Sequence, residues 1–165
     1  MDKPSFDWSK FTLKIGISAD PIEIFNLWTS QDGLESWFLS KAEFSDSNGV
    51  LKSSEKGISK GDTYTWEWHT ADNVANGEVL NVENPNSLSF TFLGCDVLVK
   101  LYEKAGETIV EIEQSNIPTD ESSKVSYHVG CTRGWTFYLA NLKSVLEGGN
   151  DLRNRNEGLK GVVNA

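Results

Sequence analysis

Residues 11–38 read FTLKIGISADPIEIFNLWTSQDGLESWF, and within this stretch the spacing of apolar side chains changes once. Phe11, Leu13, Ile15 and Ile17 alternate with polar or small neighbours, the period of two that a half-buried strand requires. From Asp20 the period turns helical. Asp20 can cap a helix, Pro21 suits the first helical position, and Glu23 stands three after the cap to complete a capping box. This helix is expected to bury Ile24, Phe25 and Trp28. A second short helix is expected from Ser30 or Gln31 through Phe38, with Leu34, Trp37 and Phe38 on one side and Gly33 as its weak point.

Outward from this stretch the chain reads as sheet, then helix. A strand is expected at 39–46, followed by the connection SDSNGVLKSSEKGISKGD (45–62), of a length that usually marks a lid or a disordered segment. Turn signals at TADN (70–73), NPNS (84–87), LGCD (93–96) and EKAGE (103–107) then separate strands near 62–70, 74–83, 87–93, 96–102 and 107–116. Short connections at that spacing make an antiparallel meander. From Ser122 the helical period returns with Val125, His128, Cys131, Thr132, Trp135, Tyr138, Leu139, Leu142, Val145 and Leu146 on one stripe, predicting one helix over 122–147 that ends at Gly148 and Gly149. Gly130 and Gly134 inside it cost about 1 kcal/mol each. Close approach, a bend or space left beneath the helix would account for them. The fold class is therefore α+β. A curved antiparallel sheet of about seven strands (strand, two short helices, six strands) is gripped by a long C-terminal helix, in one domain over 1–165 with its core at 10–148 and a polar surface tail at 149–165.

Charge and composition exclude several functions. The 165 residues carry 24 acidic against 15 basic side chains, a net charge of −9. Such a surface repels phosphate backbones, and no basic stripe interleaves with aromatics, so no nucleic acid is expected as a partner. Cys95 and Cys131 form no CxxC or zinc spacing, and the two histidines lack a third ligand, so no metal and no cofactor are expected. Apolar runs fall far short of the ~20 residues that span a bilayer, which argues against a membrane. Two unpaired cysteines without a charged-then-apolar leader point to the cytoplasm.

The pieces, in order, resemble the START-like (SRPBCC) superfamily and, within it, homologues of the C-terminal domain of the heat-shock-protein-90 ATPase activator. The resemblance covers 10–148. It is carried by residues 11–38, by GDTYTWEW (61–68), by GEVLNVENPNSLSFTF (77–92), by TIVEIEQSNI (108–117) and by GWTFYLANLKSVLE (134–147). It implies a helix-grip fold in which Tyr64, Trp66 and Trp68 face the long helix while Glu67 and His69 point outward. By the same alternation Phe90 and Phe92, Val97, Val99 and Leu101, and Val110, Ile112 and Gln114 look into that space. Trp28, Trp37 and Phe38 would close one end, with His128, Cys131, Trp135 and Tyr138 as the roof. The family often has a histidine where Gln114 stands.

Four functions fit such an interior. The rings can fill a core completely, or line a cavity for a hydrophobic or aromatic molecule with Gln114, His128, Cys131 and the indole N–H of Trp66 or Trp68 as its polar groups. His128 and Cys131, three apart on a helix, could form an imidazole–thiol pair, although no carboxylate stands at helical spacing to orient the ring. The alternative implied by the resemblance is a protein-interaction module acting through the sheet exterior, an edge strand or the loop 45–62. The activator's separate partner-binding domain is not expected in a chain of this length, and a homodimer using 150–165 stays open. The expectation is non-catalytic binding of a small hydrophobic ligand between the sheet and the long helix.

Overall fold

The computed structural model describes residues 4–165. The period-two stretches become seven strands: β1 (Phe11–Ile17), β2 (Lys41–Ser45), β3 (Thr63–Glu67), β4 (Val74–Glu83), β5 (Ser87–Phe92), β6 (Cys95–Lys104) and β7 (Glu107–Ser115). They form one antiparallel curved sheet in the order β1-β7-β6-β5-β4-β3-β2. The meander from β3 to β7 follows from its short turns. Leu93–Gly94 and Ala105–Gly106 are two-residue connections with both φ values positive, which matches the twist of a hairpin. One face of the central strands is buried: Val97, Val99 and Leu101 on β6, and Thr108, Val110, Ile112 and Gln114 on β7.

β1 and β2 lie at opposite edges, and two short helices carry the chain between them: α1 (Pro21–Trp28) and α2 (Gln31–Glu35). Asp20 caps α1 by accepting from the backbone N–H of Ile22 at 2.8 Å, and Ser30 caps α2 by accepting from Gly33 at 3.0 Å. Gly33 has a reason in packing. A Cβ there would lie 2.5 Å from the carbonyl oxygen of Asn26, so its missing side chain is what lets α2 meet α1.

The helix expected over 122–147 is not uniform. After α3 (Glu121–Ser123), capped by Asp120, the chain widens into a π-helical segment (Lys124–Val129) before α4 (Gly130–Leu146). In a π turn the bonds run from i to i+5, so each residue rotates through less than the roughly 100° of an α-helix and the predicted stripe is broken. Val125, placed on the buried stripe by its spacing, is 67% exposed. α4 ends as its glycines predict: Gly148 has φ 79°, and Gly149 N–H reaches the Ser144 carbonyl at 2.7 Å.

Two segments read as peripheral are tied to the core. The loop after β2 is fastened by Ile58, which is buried and donates its N–H to Thr29 O at 2.8 Å, and by a buried ion pair of Lys52 with Asp62. In the tail, Arg153 and Asn154 are buried against the expectation of a surface course. Arg153 turns inward because its charge is met there, by the Asp151 carboxylate at 2.8 Å and by Leu39 O at 3.0 Å. Asn141, fully buried on α4, joins three parts: its Nδ2 donates to Trp37 O at 2.7 Å and to Asp151 at 3.1 Å, and its Oδ1 accepts from Leu152 N–H at 2.7 Å. Asn141→Ala leaves buried groups on two elements without partners and is expected to cost about 2–3 kcal/mol. Urea unfolding of the variant checks this, and a loss below about 0.5 kcal/mol would show that the junction is not structural.

Candidate functional site

At one end of the space between sheet and helix the rings close on each other. Tyr64 stacks on Trp66 at 3.9 Å and donates its hydroxyl to Thr91 O. Trp66 meets Phe90 at 5.3 Å and Phe38 at 5.4 Å, while Trp28 packs on Trp37 at 4.7 Å. Trp135, near the start of α4, lies at the centre, with Phe38 at 5.2 Å, Phe92 at 5.4 Å and Trp28 at 6.0 Å. Its indole N–H donates to Gln114 Oε1 at 3.0 Å, tying the helix to β7. Contacts of this kind add roughly 0.5–1.5 kcal/mol per pair beyond burial. Three buried donors, Trp28 Nε1, Trp66 Nε1 and Gln114 Nε2, have no hydrogen-bond partner among the described residues.

At the other end the packing stops short and leaves an open cavity of about 510 Å³. Its walls are Phe38, Trp68, Phe92, Trp135 and Tyr138, with Cys131, Ser126, Gly130 and Gly134 above and the loop residues Ala71 and Asn73 beside them. Val74, Leu93, Ala75 and Ala165 complete the lining. The two glycines, four apart, present one side-chain-free strip of helix. A Cβ on Gly134 would meet nothing within 4 Å, and one on Gly130 only a carbonyl at 3.5 Å.

Of the residues chosen from sequence, Phe38, Trp68, Phe92, Cys131, Trp135 and Tyr138 come together on this cavity. Trp28, Trp37, Tyr64, Trp66, Phe90, Val110 and Ile112 are buried in the core and do not line it. Gln114 is buried too, holding the Trp135 indole. His128 is elsewhere. The π-helical segment turns it toward the N-terminal stretch, where Nε2 lies 3.1 Å from Lys10 O and Phe6, Trp8 and Phe11 pack edge-on at 4.7–5.5 Å from one another or from its ring. Residues the sequence reading missed sit in turns, at the start of β4, in the helical roof and in the tail: Ala71, Asn73, Leu93, Val74, Ala75, Ser126 and Ala165. The only signal for the first three was their place in TADN and LGCD, at the sheet's open end.

Burial pushes the Cys131 thiol above its ordinary value, with the nearby Gln114 side chain acting in the other direction. Burial likewise raises Tyr138. With His128 turned away, Cys131 has no base paired with it. Among the described residues, no three His, Cys, Asp or Glu side chains come together to hold a metal ion, and no helix is long and apolar enough to cross a membrane.

The family model described as activator of Hsp90 ATPase homolog 1-like protein matches residues 18–147. The chain belongs to this family. No curated protein matches the sequence. Among solved structures, the Aha1 dimer of Colwellia psychrerythraea is 19% identical, covers 86% of this chain and 98% of its own, and superposes with a TM-score of 0.67. A protein of Staphylococcus saprophyticus is 18% identical over 86% of this chain and 94% of its own, also at 0.67. DynU16, from the dynemicin biosynthetic locus, is 20% identical over 89% of this chain and 50% of its own, again at 0.67. At these identities the likeness is one of fold, the START-like helix grip.

The raised thiol makes a prediction about Cys131. Iodoacetamide should label it more slowly at neutral pH than a free cysteine peptide, with the rate still climbing above the usual thiol value of about 8.5. Mass spectrometry of the Cys131 peptide reads the rate, and rapid labelling at neutral pH would restore an activated nucleophile.

Proposed function

We propose that this protein binds a small hydrophobic or aromatic molecule, without catalysis, in the cavity between the sheet and α4. The observation that carries the reading is the glycine strip. Gly130 and Gly134 forgo about 1 kcal/mol of helix stability each, and the space that side chains would occupy there belongs to the cavity. A closed core would gain from filling it. The volume falls within the roughly 300–1,000 Å³ typical of ligand sites, and five aromatic walls with a few polar groups match their usual lining. A thiol held protonated and a histidine committed to Lys10 O leave no acid–base pair at the cavity. The cytoplasm is the setting we propose, since both cysteines are unpaired.

Gly134 separates stability from binding. Gly134→Ala should keep binding and raise stability by up to about 1 kcal/mol, because the methyl group meets nothing. Gly134→Phe should place a ring in the cavity and weaken the fluorescent probe anilinonaphthalene sulfonate about tenfold or more, at unchanged circular dichroism. Equal probe affinity in Gly134→Phe and the unaltered protein would remove the cavity as the binding site.

A further inference from the structure

The segment after α4 forms part of the cavity wall, and it lies beyond the family match, which ends at residue 147. Residues 151–165 contain no helix or strand, yet they follow one defined course. The root is fixed inside the protein: Arg153 reaches Leu39 O, and Asp151 and Leu152 bond to the buried Asn141. Beyond Arg155 the character changes. Leu159 and Val163 are exposed, so the outer part has little apolar anchoring. It is held by separate hydrogen bonds: Asn154 N–H to Asn164 O, Asn164 Nδ2 to Leu152 O at 2.8 Å, Asn154 Nδ2 to Leu159 O at 3.1 Å, and the Tyr138 hydroxyl to Ala165 O.

Each such bond contributes little net stability, and a segment fastened this way opens at lower cost than the sheet. The last bond has a particular place. Tyr138 and Ala165 both line the cavity, so the hydroxyl that holds the segment down stands in the wall that a guest would touch. Undocking removes Ala165 from that wall and frees the Tyr138 hydroxyl at the same moment.

We infer that residues 156–165 act as a strap whose docking completes the cavity, so that guest binding and strap docking favour each other. This rests on the cavity being the binding site. Coupling between two sites is reciprocal, which makes the inference testable from both directions.

The Asn154 amide is the reporter, because its N–H is bonded to Asn164 O only while the strap is docked. Saturating anilinonaphthalene sulfonate should slow its hydrogen exchange about fivefold or more relative to amides of β6, and deleting residues 156–165 should weaken the probe by a similar factor. Unchanged exchange at Asn154, with probe binding still lost in Gly134→Phe, would overturn the strap and leave the cavity standing. Probe binding indifferent to Gly134→Phe would overturn both. Should the shortened chain fail to fold, exchange in the 165-residue chain decides alone.

Discussion

One hydrogen bond fixes how the long helix sits on the sheet: Trp135 Nε1 to Gln114 Oε1 at 3.0 Å. Both residues are buried, so each would otherwise lose solvation without return, and the pair is satisfied only at one position of α4 along β7. Fixing Trp135 also fixes its neighbours. Phe38, Phe92 and Trp28 contact its ring, so the two short helices, β5 and the roof are set by the same side chain. The arrangement has a cost in buried N–H donors that find no acceptor among the described residues. Gln114 spends its oxygen on Trp135, and Trp28 Nε1, Trp66 Nε1 and Gln114 Nε2 are left unpartnered among the described residues. Each costs about 1–3 kcal/mol, which the packing of the rings must offset.

That requirement explains why the cavity lies at one end. The closed end, with Trp28, Trp37, Tyr64, Trp66 and Phe90, holds close ring contacts between buried side chains. It can carry the stability of the domain. The open end is bounded by hairpin turns, a π-helical segment and a glycine strip, each a local departure from the best packing or the best helix. Departures of this kind persist where the rest of the structure can support them.

Much of the fold was legible in the residues. Alternation in TIVEIEQS and SLSFTF, the two-residue turns LGCD and EKAGE, and the caps at Asp20 and Gly148 each have a short-range cause, so a local reading finds them. What was not legible depends on contacts distant in sequence. Nothing in KVSYHV marks a π-helical turn, and an α-helical wheel therefore put Val125 inward and His128 beside Cys131. Alternation assigns the faces of strands but says nothing about where turns end up, so Asn73 and Leu93 were missed while Trp68 and Phe92 were found. Arg153 was placed outside because a charge belongs in water unless a partner is waiting. Its partners include Leu39 O, more than a hundred positions away. The connection 45–62, of a length expected for a lid or a disordered segment, is tied down for the same reason, since Ile58 finds Thr29 O and Lys52 pairs with Asp62.

Family membership and the cavity concern different parts of the molecule. The match over 18–147 covers the sheet, both short helices and the roof, the elements that any helix-grip protein needs to exist. Apart from Ala165, the cavity residues also fall inside that match; Trp135, Phe38 and Phe92 among them belong to the ring packing, whereas Ala71, Asn73 and Leu93 sit at turns and Gly130 and Gly134 form a helical strip with open space beside it. A scaffold of this kind can keep its Trp135–Gln114 tie and vary its contents through a handful of positions at the open end. The fold is thus shared through its packing, while what it does depends on positions that the fold itself does not fix.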